Sequence, residues 1–169
     1  VGSSSEVEEL QARWTEPSLL QAYGELRFSI KRKAFDWGPF EVDGRLQLKY
    51  YLRMLRKHRD VDWPLYLFEY IFEEGRESLL QDWNRAIPTC FNGPNAIWHA
   101  PDSHRPPGRY FLVGSKRSGS YIHKDPCETA AWNLLLHGRK RWAILPPDVP
   151  RHIIEPFLFS SSDKRLLNR

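Results

Sequence analysis

Apolar residues recur along this chain in patterns that predict a few short helices followed by closely spaced strands. Residues 1–13 read as a polar lead-in. Trp14-Thr15-Glu16-Pro17-Ser18 then opens a short helix. Thr15 suits its N-cap, Pro17 its first turn and Gly24 its end. Leu26-Arg27-Phe28-Ser29-Ile30 alternates apolar and polar, as a half-buried strand does. Residues 31–45 mix Lys, Asp, Gly and Pro and read as loop. Leu48, Tyr51, Leu52 and Leu55 then fall at i, i+3, i+4 and i+7. That spacing predicts one apolar helix face, with Lys49, Arg53, Arg56 and Lys57 mostly turned away from it. After Pro64, residues 65–70 read as a strand, residues 78–85 as a short helix, and residues 92–108 as loop.

The last third changes period. Residues 109–114, 118–125, 130–136 and 141–145 each read as a strand, separated by short turns that include His137-Gly138-Arg139-Lys140. Closely spaced strands with short turns predict an antiparallel sandwich or barrel. No internal repeat and no low-complexity tract interrupts the chain.

Composition supports a packed domain. The 169 residues are 41% hydrophobic and 14% aromatic, with seven Trp, which argues against disorder. No apolar run approaches the ~18 residues a membrane span needs, and the polar, acidic start does not resemble a signal peptide. The two cysteines, Cys90 and Cys127, lie far apart. They point to a reducing compartment, so the nucleus or the cytoplasm is expected. The net charge is +4. Its basic residues cluster at Lys31-Arg32-Lys33, at Arg53 with Arg56-Lys57-His58-Arg59, and at Arg139-Lys140-Arg141. Solvated faces account for such clusters, and a surface for RNA is the sharper reading.

His123-Lys124-Asp125 is the first chemical candidate. Alternate strand residues share a face, so His123 and Asp125 project together and Lys124 points away. One imidazole and one carboxylate fill two adjacent positions of a metal. A further His would complete the two-His-one-carboxylate triad of non-haem Fe(II) oxygenases. Taken alone, His123 reads more simply as a hydrogen-bonded structural histidine. Lys140 follows a tight Gly-containing turn and suits the far carboxylate of a dicarboxylate ligand, or else it is a solvated turn lysine. Asn133 lies between apolar residues and needs partners, either within a sheet or on a ligand.

Several of these stretches occur together in order. Residues 106–114 (PPGRYFLVG), 117–126 (RSGSYIHKDP), 129–133 (TAAWN) and 138–142 (GRKRW) strongly resemble the JmjC domain. They are most like the branch that contains the bifunctional arginine demethylase and lysyl-hydroxylase. Lys49-Tyr50-Tyr51 and residues 64–68 (PLYLF) extend the resemblance, which covers roughly residues 45–150. It implies a cupin-like double-stranded β-helix, mainly β with flanking helices and with its C-terminal strands absent. Residues 1–45 are then a helix and strand lead-in, 46–150 the N-terminal portion of the JmjC domain, and 151–169 an unmatched tail.

The resemblance implies roles for the matched residues. His123 and Asp125 would bind Fe(II). Lys140 would pair with the far carboxylate of 2-oxoglutarate, with Tyr66 and Ser120 hydrogen-bonding to it. Ser120 stands where the family branch has Thr. Asn133 would line the co-substrate pocket. A 2-oxoglutarate-dependent dioxygenase hydroxylating or demethylating lysine or arginine side chains of a protein substrate follows as the leading expectation. The family's third ligand is a His on a strand well after the Lys-Arg-Trp turn, and neither His137 nor His152 fits that position. The alternative is therefore a non-catalytic JmjC-like module that binds protein or RNA. A reading frame that continues past Arg169 with a His on a later strand would favour the enzyme.

Overall fold

The computed structural model describes residues 4–31, 44–58, 64–70, 75–94, 96, 99–104, 108–120, 122–125, 129–150 and 153. The described residues form four α-helices and four strands. They are α1 (Ser4–Arg13), α2 (Glu16–Tyr23), β1 (Arg27–Lys31), β2 (Gly44–Gln47), α3 (Leu48–Lys57), β3 (Tyr66–Tyr70), α4 (Glu77–Ala86) and β4 (Tyr110–Gly114). Short 3-10 turns occupy Thr89–Phe91, just before the expected loop, and Asp102–His104 within it.

The local signals place most of these elements. Thr15 caps α2 by accepting from the Ser18 N–H, and the Gly24 N–H closes the last turn on the Leu20 carbonyl. In α3 the expected stripe is the buried one: Leu48, Tyr51 and Leu52 are buried and Leu55 packs at its margin. The lead-in is the first departure, because most of it forms α1. Val7, Leu10 and Trp14 fall at i, i+3 and i+7, but three apolar residues among so many polar ones are a faint signal. Tertiary contacts hold it instead. Leu10 is buried, and Glu9 pairs with Arg85 of α4 at 3.1 Å. Just beyond the helix, the Trp14 Nε1–H donates to Asp82 at 2.8 Å. Strand β2 is the second departure, since Gly44 to Gln47 reads as loop end until it pairs with β1.

The sheet is antiparallel in the order β2-β1-β3-β4. Ile30 pairs with Leu67 and Lys31 with Tyr66, while Leu67 pairs with Val113 and Tyr66 with Gly114. Phe28, Ile30, Leu67 and Phe111 project to one face, against Leu19 and Tyr23 of α2, Leu48, Tyr51 and Leu52 of α3, and Leu79 and Trp83 of α4. Fully burying each such side chain stabilises the fold by about 1.5–3 kcal/mol. The Tyr51 hydroxyl ties this layer to the sheet, donating to the Val113 carbonyl at 2.6 Å and accepting from the Leu67 N–H at 3.0 Å. Arg76 and Glu69, both almost wholly buried, pair at 3.1 Å, with the Arg76 guanidinium over the Phe28 ring.

A four-stranded antiparallel sheet with helices on one face is consistent with a mainly β fold. Only the first of the four strands expected within residues 109–145 forms, as β4. Among the described residues, 118–125, 130–136 and 141–145 lie outside helices and strands except for an isolated bridge at Ser120. Their alternation suits strands, but a strand is fixed by a ladder, and these residues find none among the described ones.

Candidate active site

The face of the sheet away from the helices is aromatic. Tyr66, Phe68 and Tyr70 project there from β3, joined by Tyr110 and Leu112 of β4. The Tyr66 and Phe68 rings are 6.1 Å apart, Phe68 and Tyr110 4.9 Å, and Tyr70 and Tyr110 4.6 Å. These are edge-on and tilted contacts of the kind aromatic pairs favour. The Tyr110 hydroxyl donates to that of Tyr70 at 2.9 Å. Burial raises the pKa of the Tyr66 phenol, so it remains a neutral hydrogen-bonding group at ordinary pH.

His123 and Asp125 come together. The His123 Nε2 lies 3.2 Å from the Asp125 Oδ1, and both side chains are partly exposed. Two ligands at about 2.1 Å from one metal, at right angles, have donor atoms about 3.0 Å apart. The observed separation fits two adjacent positions on an iron ion. The pair also lies near the aromatic face: burial raises the Tyr110 phenol first, its bond to Tyr70 next, and the Asp125 carboxylate adds to the shift. Among the described residues, no group of three or more His, Cys, Asp and Glu side chains is placed to hold a metal.

No family model matches the chain. Curated relatives do. The bifunctional arginine demethylase and lysyl-hydroxylase psr-1 of Caenorhabditis elegans is 40% identical over 112 residues, covering 66% of this chain and 28% of the relative. The lysine-specific demethylase JMJ21 of Arabidopsis thaliana is 38% identical over 136 residues, covering 79% of this chain and 13% of the relative. The arginine-specific demethylase JMJ22 of the same plant is 31% identical over 137 residues, 81% of this chain and 24% of that one. The homologues of this chain are JmjC-domain demethylases. The chain spans less than a third of the length of these relatives.

The other residues singled out by the JmjC resemblance are placed unevenly. Tyr66 is fixed on the aromatic face, 7% exposed. Ser120 is exposed at its isolated bridge, three residues before His123. Lys140 sits on an irregular stretch with its Nζ 4.4 Å from the centroid of the Trp142 ring, and desolvation lowers its pKa. Asn133 lies on the helix side of the sheet. It lines a cleft of about 190 Å³ with Leu10 of α1, Arg85 of α4 and Trp132. The cause is its neighbour: the Trp132 indole packs on Trp83, 5.5 Å between ring centroids, and docks this segment against α4. The His137 ring nitrogen meets the Gln11 carbonyl at 2.8 Å, which extends the docking along α1.

Two residues on the aromatic face escaped the sequence reading. Tyr110 stands in the run that carries the resemblance, but nothing in its spacing marks it out. Lys31 was grouped with solvated basic residues. It is instead 3% exposed, with its Nζ 4.3 Å from the Phe68 ring centroid. The strand alternation could have found it, because Ser29 and Lys31 must share the face opposite Phe28 and Ile30.

Proposed function

We propose that this chain carries the iron- and 2-oxoglutarate-binding part of a JmjC oxygenase that hydroxylates or demethylates lysine or arginine side chains of a protein. The observation that carries this reading is the 3.2 Å approach of His123 Nε2 to Asp125 Oδ1 beside the aromatic face. The names of the relatives support the substrate class.

His123 and Asp125 would hold the iron. When bound, iron and 2-oxoglutarate together supply the oxygen activation that side-chain hydroxylation needs. The chain's own residues supply binding and orientation. Tyr66 offers a neutral phenol on a rigid strand, Ser120 a hydroxyl, and Lys140 a cation, all suited to the far carboxylate of the co-substrate. Fixing that end sets the direction of the keto-acid end.

The test is succinate formation from 2-oxoglutarate, with and without Fe(II), by the protein in the longest form its reading frame encodes. Iron-dependent succinate that is lost in Asp125→Ala is expected. Succinate formed equally by Asp125→Ala, or none from a folded protein supplied with both, would overturn the reading.

A further inference from the structure

Helix α3 carries a second stripe on the side away from the sheet. Leu48, Tyr51, Leu52 and Leu55 pack on the core at i, i+3, i+4 and i+7. Tyr50, Arg53, Met54 and Lys57 repeat that spacing two residues later. Two residues turn a helix by about 200°, so the second stripe points outward. All four of its residues are exposed, Tyr50 by 46% and Met54 by 37%. A surface helix ordinarily presents polar residues on that side. Here two cations share it with an aromatic ring and a thioether chain.

The charge of α3 is unbalanced. Its sequence, LKYYLRMLRK, holds four basic residues and no acidic one. The two on its flanks are paired, Lys49 with Glu25 at 2.6 Å and Arg56 with Glu16 at 2.6 Å. Among the described residues, no carboxylate pairs with Arg53 or Lys57. These two stand one turn apart, where like charges destabilise a helix. A solvated basic face accounts for the cations alone. It does not account for Tyr50 and Met54 lying exposed beside them. Tyr, Met and Arg are residue types enriched at protein–protein interfaces.

The chemistry of the stripe selects its partner. The Tyr50 ring already has cations beside it, the Lys49 Nζ at 5.1 Å and the Arg53 guanidinium at 5.9 Å from its centroid. A nucleic-acid base stacking on that ring would compete with them, and Met54 offers nothing to a phosphate. A helical peptide with one apolar edge flanked by carboxylates satisfies the whole stripe. Its apolar side chains would rest on Tyr50 and Met54, and its carboxylates would meet Arg53 and Lys57.

We propose that the outward stripe of α3, formed by Tyr50, Arg53, Met54 and Lys57, is a docking surface for an acidic amphipathic segment of a partner protein. The stripe lies on the helical side of the sheet and the aromatic face on the other, so an occupant leaves that face open. The proposal does not depend on the reading of the candidate active site.

The experiment is fluorescence anisotropy on the protein in the longest form its reading frame encodes. The probe is a labelled peptide of about 15 residues, with Leu at the spacing of one helix edge and Glu elsewhere, long enough to run the length of α3. A peptide of the same composition with Leu scattered around the helix and an oligouridylate of similar length are the comparisons. The patterned peptide is expected to bind with a Kd below about 0.1 mM, and the scattered one roughly tenfold more weakly. Arg53→Glu combined with Lys57→Glu should weaken the patterned peptide about tenfold or more, and Met54→Ala several-fold with every charge in place. Lys116→Glu, an exposed basic position just beyond β4, should stay within about twofold of wild type. The substituted residues are exposed, so the thermal midpoints should be unchanged. Sedimentation of the free protein gives its oligomeric state. No binding, equal affinity for the two peptides, tighter binding of the oligouridylate or an equal loss in Lys116→Glu would each overturn the proposal. So would a dimer that Arg53→Glu dissociates, since a second copy of the chain would then occupy the face.

Discussion

The Tyr51 hydroxyl shows how much of the sheet depends on single polar atoms. It reaches from α3 to the Val113 carbonyl and the Leu67 N–H, two backbone groups on neighbouring strands. Tyr51→Phe leaves both buried groups without that partner and is expected to cost about 1–3 kcal/mol, read as a lower urea midpoint with an unchanged slope. An unaltered midpoint would mean that the strands satisfy those groups without it. Lys31 gives a pH dependence of definite sign. Its folded-state pKa is about 8, against 10.5 for the free side chain. Below pH 8 both states carry the proton, and the folded state bears the full cost of the desolvated ammonium. As the pH rises towards 10.5, the folded state releases the proton while the unfolded state keeps it. Stability contributed at this site therefore increases over that window. The thermal midpoint of wild type should accordingly gain on that of Lys31→Met between pH 7 and about 9.5. A constant difference between the two would show that Lys31 titrates normally.

At the scale of elements, local chemistry and tertiary contact divide the work. The α2 cap, the α3 stripe and the strands β3 and β4 were legible because each has its own signal: a capping Thr15, apolar residues at helical spacing, or a short apolar run bounded by Pro or Gly. Helix α1 and strand β2 were not, because what fixes them lies elsewhere in the chain. β2 exists by its register with β1, Leu46 opposite Phe28. α1 is held near α4 through Leu10, Glu9 and the Trp14–Asp82 hydrogen bond. The Glu9–Arg85 pair is exposed and contributes little. Asp82 is 3% exposed, so losing a donor to it matters more. Trp14→Phe keeps most of the ring's contact with Phe111 but removes the indole N–H. It should destabilise the fold by about 1–3 kcal/mol, measured by thermal or urea unfolding. A change within error would mean that Arg13, 3.1 Å from the same carboxylate, satisfies it alone.

Across the whole molecule, one sheet with a helical layer on one side carries an aromatic face on the other, and the candidate metal ligands lie beside that face. His123 and Asp125 stand out in the sequence by a two-residue spacing within a run of family-like residues, and the structure brings them within 3.2 Å, although not on the strand that spacing assumed. Among the described residues, the strands expected after β4 do not form, because alternation describes which side chains a strand would bury and a ladder needs a second backbone. Native-state hydrogen exchange should therefore show protected amides in Tyr66–Tyr70 and Tyr110–Gly114 and fast exchange in residues 141–145. Comparable protection in both would place residues 141–145 in a ladder. The central claim is that His123 and Asp125 form two positions of an iron site that 2-oxoglutarate helps to fill. Anaerobic titration of the 169-residue chain with Fe(II), with and without 2-oxoglutarate, tests it most directly. Two protein ligands hold iron weakly, and a chelating keto-acid adds two more. Binding should thus be weak alone, approach one iron per chain with 2-oxoglutarate, and disappear in Asp125→Ala. Tight binding without 2-oxoglutarate, or binding indifferent to Asp125→Ala, would contradict it.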